Sequence, residues 1–132
     1  MDTKEITING KKLIFLRYKE MWVFPFITCY LHGLGSPIAL ILYYEEHDHL
    51  YEFAYLTVNL PDGKRNAGCQ YIDTNNNGSE VLDWLEENEF GKRTGNLTES
   101  GFCSYPEFNF YKGEKFWEYK GFCDKIGDPF NL

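Results

Sequence analysis

Two apolar runs constrain this chain most: residues 38–44 (IALILYY) and 50–60 (LYEFAYLTVNL), joined by a polar stretch at 45–49. Each is strand length and far short of the roughly 20 residues that cross a bilayer. Their β-branched and aromatic side chains favour extended backbone, so the pair is expected to form a hairpin near the centre of a sheet. Along 51–60, Phe53, Tyr55, Thr57 and Asn59 take one face, and Glu52, Ala54, Leu56, Val58 and Leu60 the other. Both sets carry large apolar groups, so both faces are expected to be at least partly covered.

A second hairpin is expected at 6–15 (ITINGKKLIF), where Asn9-Gly10 supplies the two positive-φ residues of a type I′ turn. Residues 21–31 read as extended, with Pro25 marking an edge or a bulge. The stretch 33–37 (GLGSP) breaks the chain, 61–63 (PDG) ends the second apolar run, and 69–72 reads as a short strand. One helix is expected at about 79–90, opened by a capping box of Asn77 and Glu80 and stopped by Gly91. Val81, Leu82 and Leu85 form its apolar stripe, with Trp84 at the margin. Residues 91–101 read as a polar, glycine-containing loop, and 102–111 (FCSYPEFNFY) as a strand with Phe108 and Phe110 on one face. Gly-Phe-Cys occurs at 101–103 and 121–123, too short an echo to be a repeat. The tail at 112–132 gives no assignment. The pattern predicts a single α+β domain over 1–132: a meander-like antiparallel sheet of about five to seven strands with one helix packed on it.

Length and composition agree with one packed domain: 132 residues, 43% hydrophobic and 18% aromatic. Twenty acidic residues against 13 basic ones give a net charge of −7. Bare nucleic acid and anionic lipid should repel such a chain, whereas a basic groove on another protein should attract it. The first residues (MDTKE) lack the apolar run of a secretion signal, so a cytoplasmic protein is expected. The Asn96-Leu97-Thr98 sequon then carries no meaning, and Cys29, Cys69, Cys103 and Cys123 are expected to be buried thiols. None belongs to a C-x-x-C pair, so no zinc knuckle is expected.

The partial calcium-loop pattern is Asp73-Thr74-Asn75-Asn76-Asn77-Gly78. Asp73, Asn75 and Asn77 fall on the first three ligand positions and Gly78 on the turn glycine. Position 12 is Trp84, which has no oxygen to give, and no helix precedes the loop. These three residues are therefore weak metal candidates, and a helix-capping turn is the favoured reading. The stretch 45–49 (EEHDH) could place His47 and His49 near carboxylates, but neighbouring side chains in a hairpin loop point apart, so a polar turn is favoured. His32 stands alone. No cofactor motif is present, and no phosphate-binding glycine loop or metalloprotease signature occurs, so an enzyme is not expected.

The outward face of the expected helix is the strongest binding candidate. At about 100° per residue, Glu80, Asp83, Glu86 and Glu87 cluster opposite the apolar stripe. No Lys or Arg interrupts 80–89, although like charges three or four apart weaken a helix. A row of unpaired carboxylates can imitate phosphates; an ordinary solvated face is the plain alternative. Secondary candidates for partner contact are Glu45, Glu46 and Asp48, and the tail aromatics Phe116, Trp117 and Tyr119.

Four motifs, LTVNLP (56–61), IDTNNN (72–77), LEENEFGKRTG (85–95) and SGFCSYPEF (100–108), occur in an order and spacing that resembles a small bacterial family known as a domain of unknown function. The resemblance spans about 38–111, leaving 1–37 and the tail outside it. It implies no reaction and no catalytic residues. It implies a setting among accessory products of plasmids, phages and conjugative elements, where small acidic proteins act as counter-defence factors. The expected partner is thus a host defence protein with a basic nucleic-acid groove, foremost an RNA-guided nuclease inhibited in the manner of an anti-CRISPR protein or DNA mimic. That step is analogy. The alternatives are an accessory interaction module without inhibitory role, and a metal-binding protein.

Overall fold

The computed structural model describes residues 2–31, 36–60 and 64–131. The fold is α+β, but its strands are divided between two antiparallel sheets of five and four strands instead of one. The first sheet is a meander of β1 (Thr3–Ile8), β2 (Lys11–Tyr18), β3 (Met21–Cys29), β4 (Ile38–Glu46) and β5 (His49–Tyr55), in that spatial order. Its described turns share one geometry. Asn9 and Gly10, Lys19 and Glu20, and His47 and Asp48 all have positive φ, at 49°, 79°, 45°, 66°, 53° and 63°. Such paired turns match the twist of the strands they join. Asn9-Gly10 and His47-Asp48 have residues that tolerate it; Lys19-Glu20 is imposed by strand pairing.

Pro25 lies where β2 and β3 part. Their pairing covers only Leu16–Val23, Arg17–Trp22 and Tyr18–Met21, so β3 needs no donor toward β2 at Pro25. On its other side β3 stays paired with β4 from Phe24–Tyr43 to Cys29–Ile38. The expected strand at 50–60 is broken at Leu56, whose amide still donates to Leu40 O at 3.0 Å. Beyond it the chain crosses into the second sheet, ordered β6 (Thr57–Val58), β7 (Cys69–Ile72), β9 (Cys103–Asn109) and β8 (Lys92–Ser100). The breaks expected at 33–37 and 61–63, and His32, fall mainly outside the described residues.

Helix α1 (Thr74–Asn77) is a single turn, α2 (Glu80–Glu87) is the expected main helix, and α3 (Glu114–Ile126) occupies the unassigned tail. Phe15, Phe24, Phe90, Phe108, Phe110 and Phe116 are fully buried, joining both sheets to α2 and α3 in one core. Each such ring removed from water stabilises by about 2–3 kcal/mol before entropy is counted. α3 fills the gap left by the parting of β2 and β3: Tyr119 donates its hydroxyl to Ile14 O at 2.8 Å, and Cys123 meets the free margin of β3.

Candidate functional site

The carboxylates of α2 are not unpaired. Arg93 on β8 lies across them, donating from Nη2 to Asp83 Oδ1 at 2.6 Å and from Nε to Glu86 Oε1 at 3.0 Å. Its backbone N–H adds a bond to Glu86 Oε2 at 2.9 Å. The Arg93 hydrogen bonds hold the Glu86 carboxyl below its ordinary value. Lys19 Nζ stands 3.7 Å from Glu80. Of the four predicted helix contacts, only Glu87 has no cationic partner among the described residues. The expectation of an open acidic face is corrected because β8, read as loop in the sequence, brings its arginine alongside the helix.

The start of α2 also differs from expectation. Ser79 occupies the cap position without a side-chain bond, so the Asn77–Glu80 capping box does not form. Asn77 points inward and donates to Tyr55 O at 2.8 Å and Asp73 O at 2.9 Å. Asp73 caps α1 instead, accepting from the Asn76 amide at 3.2 Å and its side chain at 2.7 Å. Asn75 donates to Ser104 O at 3.3 Å. The three weak calcium candidates are thus spread along a helical turn and committed to protein partners. No group of three His, Cys, Asp or Glu able to hold a metal occurs among the described residues.

The tail aromatics separate into two roles. Phe116 and Tyr119 are buried in the core and leave no surface for a partner, which corrects their assignment as contacts. Trp117 is 49% exposed, packed at a tilt beside Tyr111 with ring centres 4.8 Å apart and donating from Nε1 to Tyr111 O at 3.0 Å. The thiols divide as well: Cys69 and Cys123 are buried, Cys103 is half-buried and Cys29 is exposed. Burial pushes Cys69 and Cys123 up to about 11, opposite to what a nucleophile needs.

The β4–β5 hairpin combines charge and aromatic surface. No Lys or Arg occurs between Lys19 and Lys64, so this hairpin carries carboxylates alone. Glu45 accepts from the Asp48 amide at 2.9 Å and shapes the turn, while His47 Nε2 stands 3.9 Å from Glu46, an ion pair only when the imidazole is protonated. His47 sits in that turn and His49 on β5, and the polar-turn reading of 45–49 holds. β5 is an outer strand, not a central one. Tyr44 and Tyr51 pair across the strands and stack at 5.6 Å. The register shift opposite Leu42–Tyr43 makes Phe53 the extra residue of a bulge. Its ring meets Tyr44 at 6.4 Å and Tyr18 at 6.3 Å, and Tyr18 meets Trp84 at 5.0 Å. Trp84 in turn stacks on the fully buried Phe90 at 5.8 Å. Aromatic rings therefore run unbroken from the core to a surface where Tyr51 and Phe53 remain 41% and 40% exposed.

A third region, silent in the sequence, is a cleft of about 430 Å³ lined by Lys64, Tyr71, Asn96, Leu97, Thr98 and Glu107. Glu107 is 1% exposed yet fully engaged. Its carboxylate accepts from the Asn66 amide at 3.0 Å, Thr94 Oγ1 at 2.8 Å and Asn96 Nδ2 at 3.1 Å. Burial pushes its carboxyl up, but these bonds together outweigh burial and leave it below the ordinary value. They tie the bulged part of β8 to the approach to β7, so Glu107 holds structure.

The family described as a domain of unknown function (DUF4313) matches residues 27–131. The chain belongs to it. No curated protein and no solved structure matches. The DUF4313 match extends past 38–111 at both ends and takes in the β4–β5 hairpin, α2, Glu107 and α3. Most of the β1–β2–β3 meander precedes it.

Proposed function

We propose that this DUF4313 protein is a non-enzymatic binding protein that occupies a basic nucleic-acid groove on a partner. The partner class we propose is a host defence enzyme, foremost an RNA-guided nuclease, inhibited as an anti-CRISPR protein would inhibit it. One observation carries the reading: the β4–β5 hairpin presents carboxylates without a lysine or arginine of its own, beside solvent-exposed rings anchored to the core. Such nucleases hold duplex in positively charged channels that carboxylates can enter in place of phosphates. The weight of the proposal rests on Glu45, Glu46, Asp48 and Glu52, and secondarily on Glu87 of α2; Asp83 and Glu86 are already satisfied by Arg93. The test is a cleavage assay with purified RNA-guided nucleases, comparing wild type with Glu46→Lys/Glu52→Lys. Inhibition by wild type that is lost in the double variant is the expected result. Inhibition undiminished by the reversal would overturn charge-driven occupancy.

A second reading is favoured by a different surface. The β8–β9 hairpin carries Leu97 at 67% exposure and a fully exposed Phe102 at its tip. An accessory interaction module of a plasmid or conjugative element would bind a partner through such apolar groups. That binding would be indifferent to salt, whereas occupancy through carboxylates weakens as salt rises. No helix among the described residues is long and apolar enough to cross a membrane.

A further inference from the structure

We infer that the outer edge of β5 takes up an extended, arginine- or lysine-bearing segment of a partner protein as an added strand. β5 ends the five-stranded sheet, and no strand pairs with its outer side among the described residues. An edge of this kind offers a row of backbone donors and acceptors, and proteins usually blunt it with lysine or proline. Here neither lysine nor proline is present in His49–Tyr55; the strand carries only the Phe53 bulge and Glu52 mid-strand, with Glu46 opposite His49. The Pro129–Asn131 turn packs against it on the Tyr43 side, where Phe130 meets Tyr43 at 5.8 Å.

Two features select the occupant. Cross-strand pairing puts Tyr44 and Tyr51 on one face with the bulged Phe53, and Glu52 on the other face, opposite Tyr43. An added strand would lay alternate side chains on those two faces. On one, a guanidinium or ammonium meets exposed ring faces near Glu46; on the other it meets Glu52, whose carboxylate raises the neighbouring Tyr55 hydroxyl to about 12. A second copy of the chain is disfavoured at the same edge, because it would bring Glu52 and Glu46 against like charges. The cationic segment answers both the open backbone and the unbalanced charge.

This inference rests on the protein-binding reading and names the partner's contacting chemistry. The probe is a short fluorescent peptide alternating arginine and valine, with a glutamate–valine peptide and a backbone N-methylated arginine peptide as controls. Binding to the full chain is followed by anisotropy, and backbone amide exchange reports the site. The expected result is binding of the first peptide alone, weakened about tenfold or more by Glu46→Lys/Glu52→Lys, with new protection confined to β5. The N-methylated control leaves the protein untouched, so it tests strand addition even where a charge reversal disturbs the fold. Absence of binding, equal binding of the N-methylated peptide, protection elsewhere, or self-association through β5 each overturns the inference. Peptide binding without nuclease inhibition removes the nuclease proposal and leaves the strand site standing. Inhibition that persists without peptide binding removes the strand site alone.

Discussion

The thiol of Cys123 on α3 accepts the Ile27 amide at 3.4 Å and points its proton at Pro25 O, 3.7 Å away. β3 has lost β2 as a neighbour at this point, so a helix side chain closes backbone groups that a strand would otherwise satisfy. Cys123→Ala removes both contacts and opens a small void, at an expected cost of about 2 kcal/mol. The measurement is a denaturant melt. Thiol labelling supplies a second readout: Cys29 should react first, Cys103 more slowly, and Cys69 and Cys123 only on unfolding. Fast labelling of Cys123 in the native protein would show that α3 does not hold this margin closed.

Glu107 should govern acid stability. Its folded-state carboxyl lies below its ordinary value, and Glu86 shifts in the same direction. The stabilisation is therefore present above the unfolded carboxyl value of about 4.3 and is lost as pH falls through the lower folded value. Glu107→Ala leaves donors on Asn66, Thr94 and Asn96 without their acceptor and empties the buried carboxyl site, and should cost about 2 kcal/mol at neutral pH. Glu107→Gln should cost less and flatten the fall in melting temperature between pH 6 and pH 3, to about the extent that one carboxylate contributes. An unchanged pH profile in that variant would place the acid-sensitive group elsewhere.

Arg93 separates the two acidic surfaces. Its side chain is 40% exposed, so Arg93→Ala should cost no more than about 1 kcal/mol, less in high salt. The substitution frees Asp83 and Glu86 without touching β5. If the hairpin is the binding surface, affinity for a cationic partner should rise only slightly through the added net charge. A rise of about tenfold or more would return the α2 face to the centre of recognition.

The elements that the sequence announced are those whose local chemistry agrees with their place. Asn9-Gly10 turns β1 into β2, and Val81, Leu82 and Leu85 mark the buried side of α2. β8 was hidden because KRTGNLTES is polar apart from Leu97 and faces solvent; its order comes from pairing with β9 and from the donors it gives to Glu107. α3 does carry helical spacing at Phe116, Tyr119, Cys123 and Ile126, obscured by an interior Gly121 and by the off-stripe aromatics Trp117 and Phe122. The charge pairing of α2 could not be read locally, since Arg93 becomes a neighbour only after β8 folds back. The absence of Lys and Arg from 20–63 was visible in the sequence, and is the signal that would have ranked the β4–β5 hairpin above the helix.

Two glycines near α3 should respond in opposite directions to alanine. A Cβ on Gly113 would overlap the backbone of Phe90 and Gly91, where the end of α2 meets the start of α3. Its φ of −102° suits any residue, so the requirement is for closeness, not for left-handed backbone. Lys115 N–H donates to Glu89 O at 3.0 Å across the same junction, and a shift there would drag Phe90 out from beneath Trp84. Gly113→Ala should therefore cost about 3 kcal/mol or more and expose the aromatic ladder from its buried end. Gly121 lies exposed inside α3 with open space where a Cβ would go, so Gly121→Ala should stabilise by about 0.5–1 kcal/mol. Parallel thermal melts decide the matter, and tryptophan fluorescence of the Gly113 variant reports whether Trp84 has lost its stacking partner. Equal stabilities for the two variants would mean that α3 is not seated against Phe90 and that the ladder reaching Tyr51 is not anchored in the core.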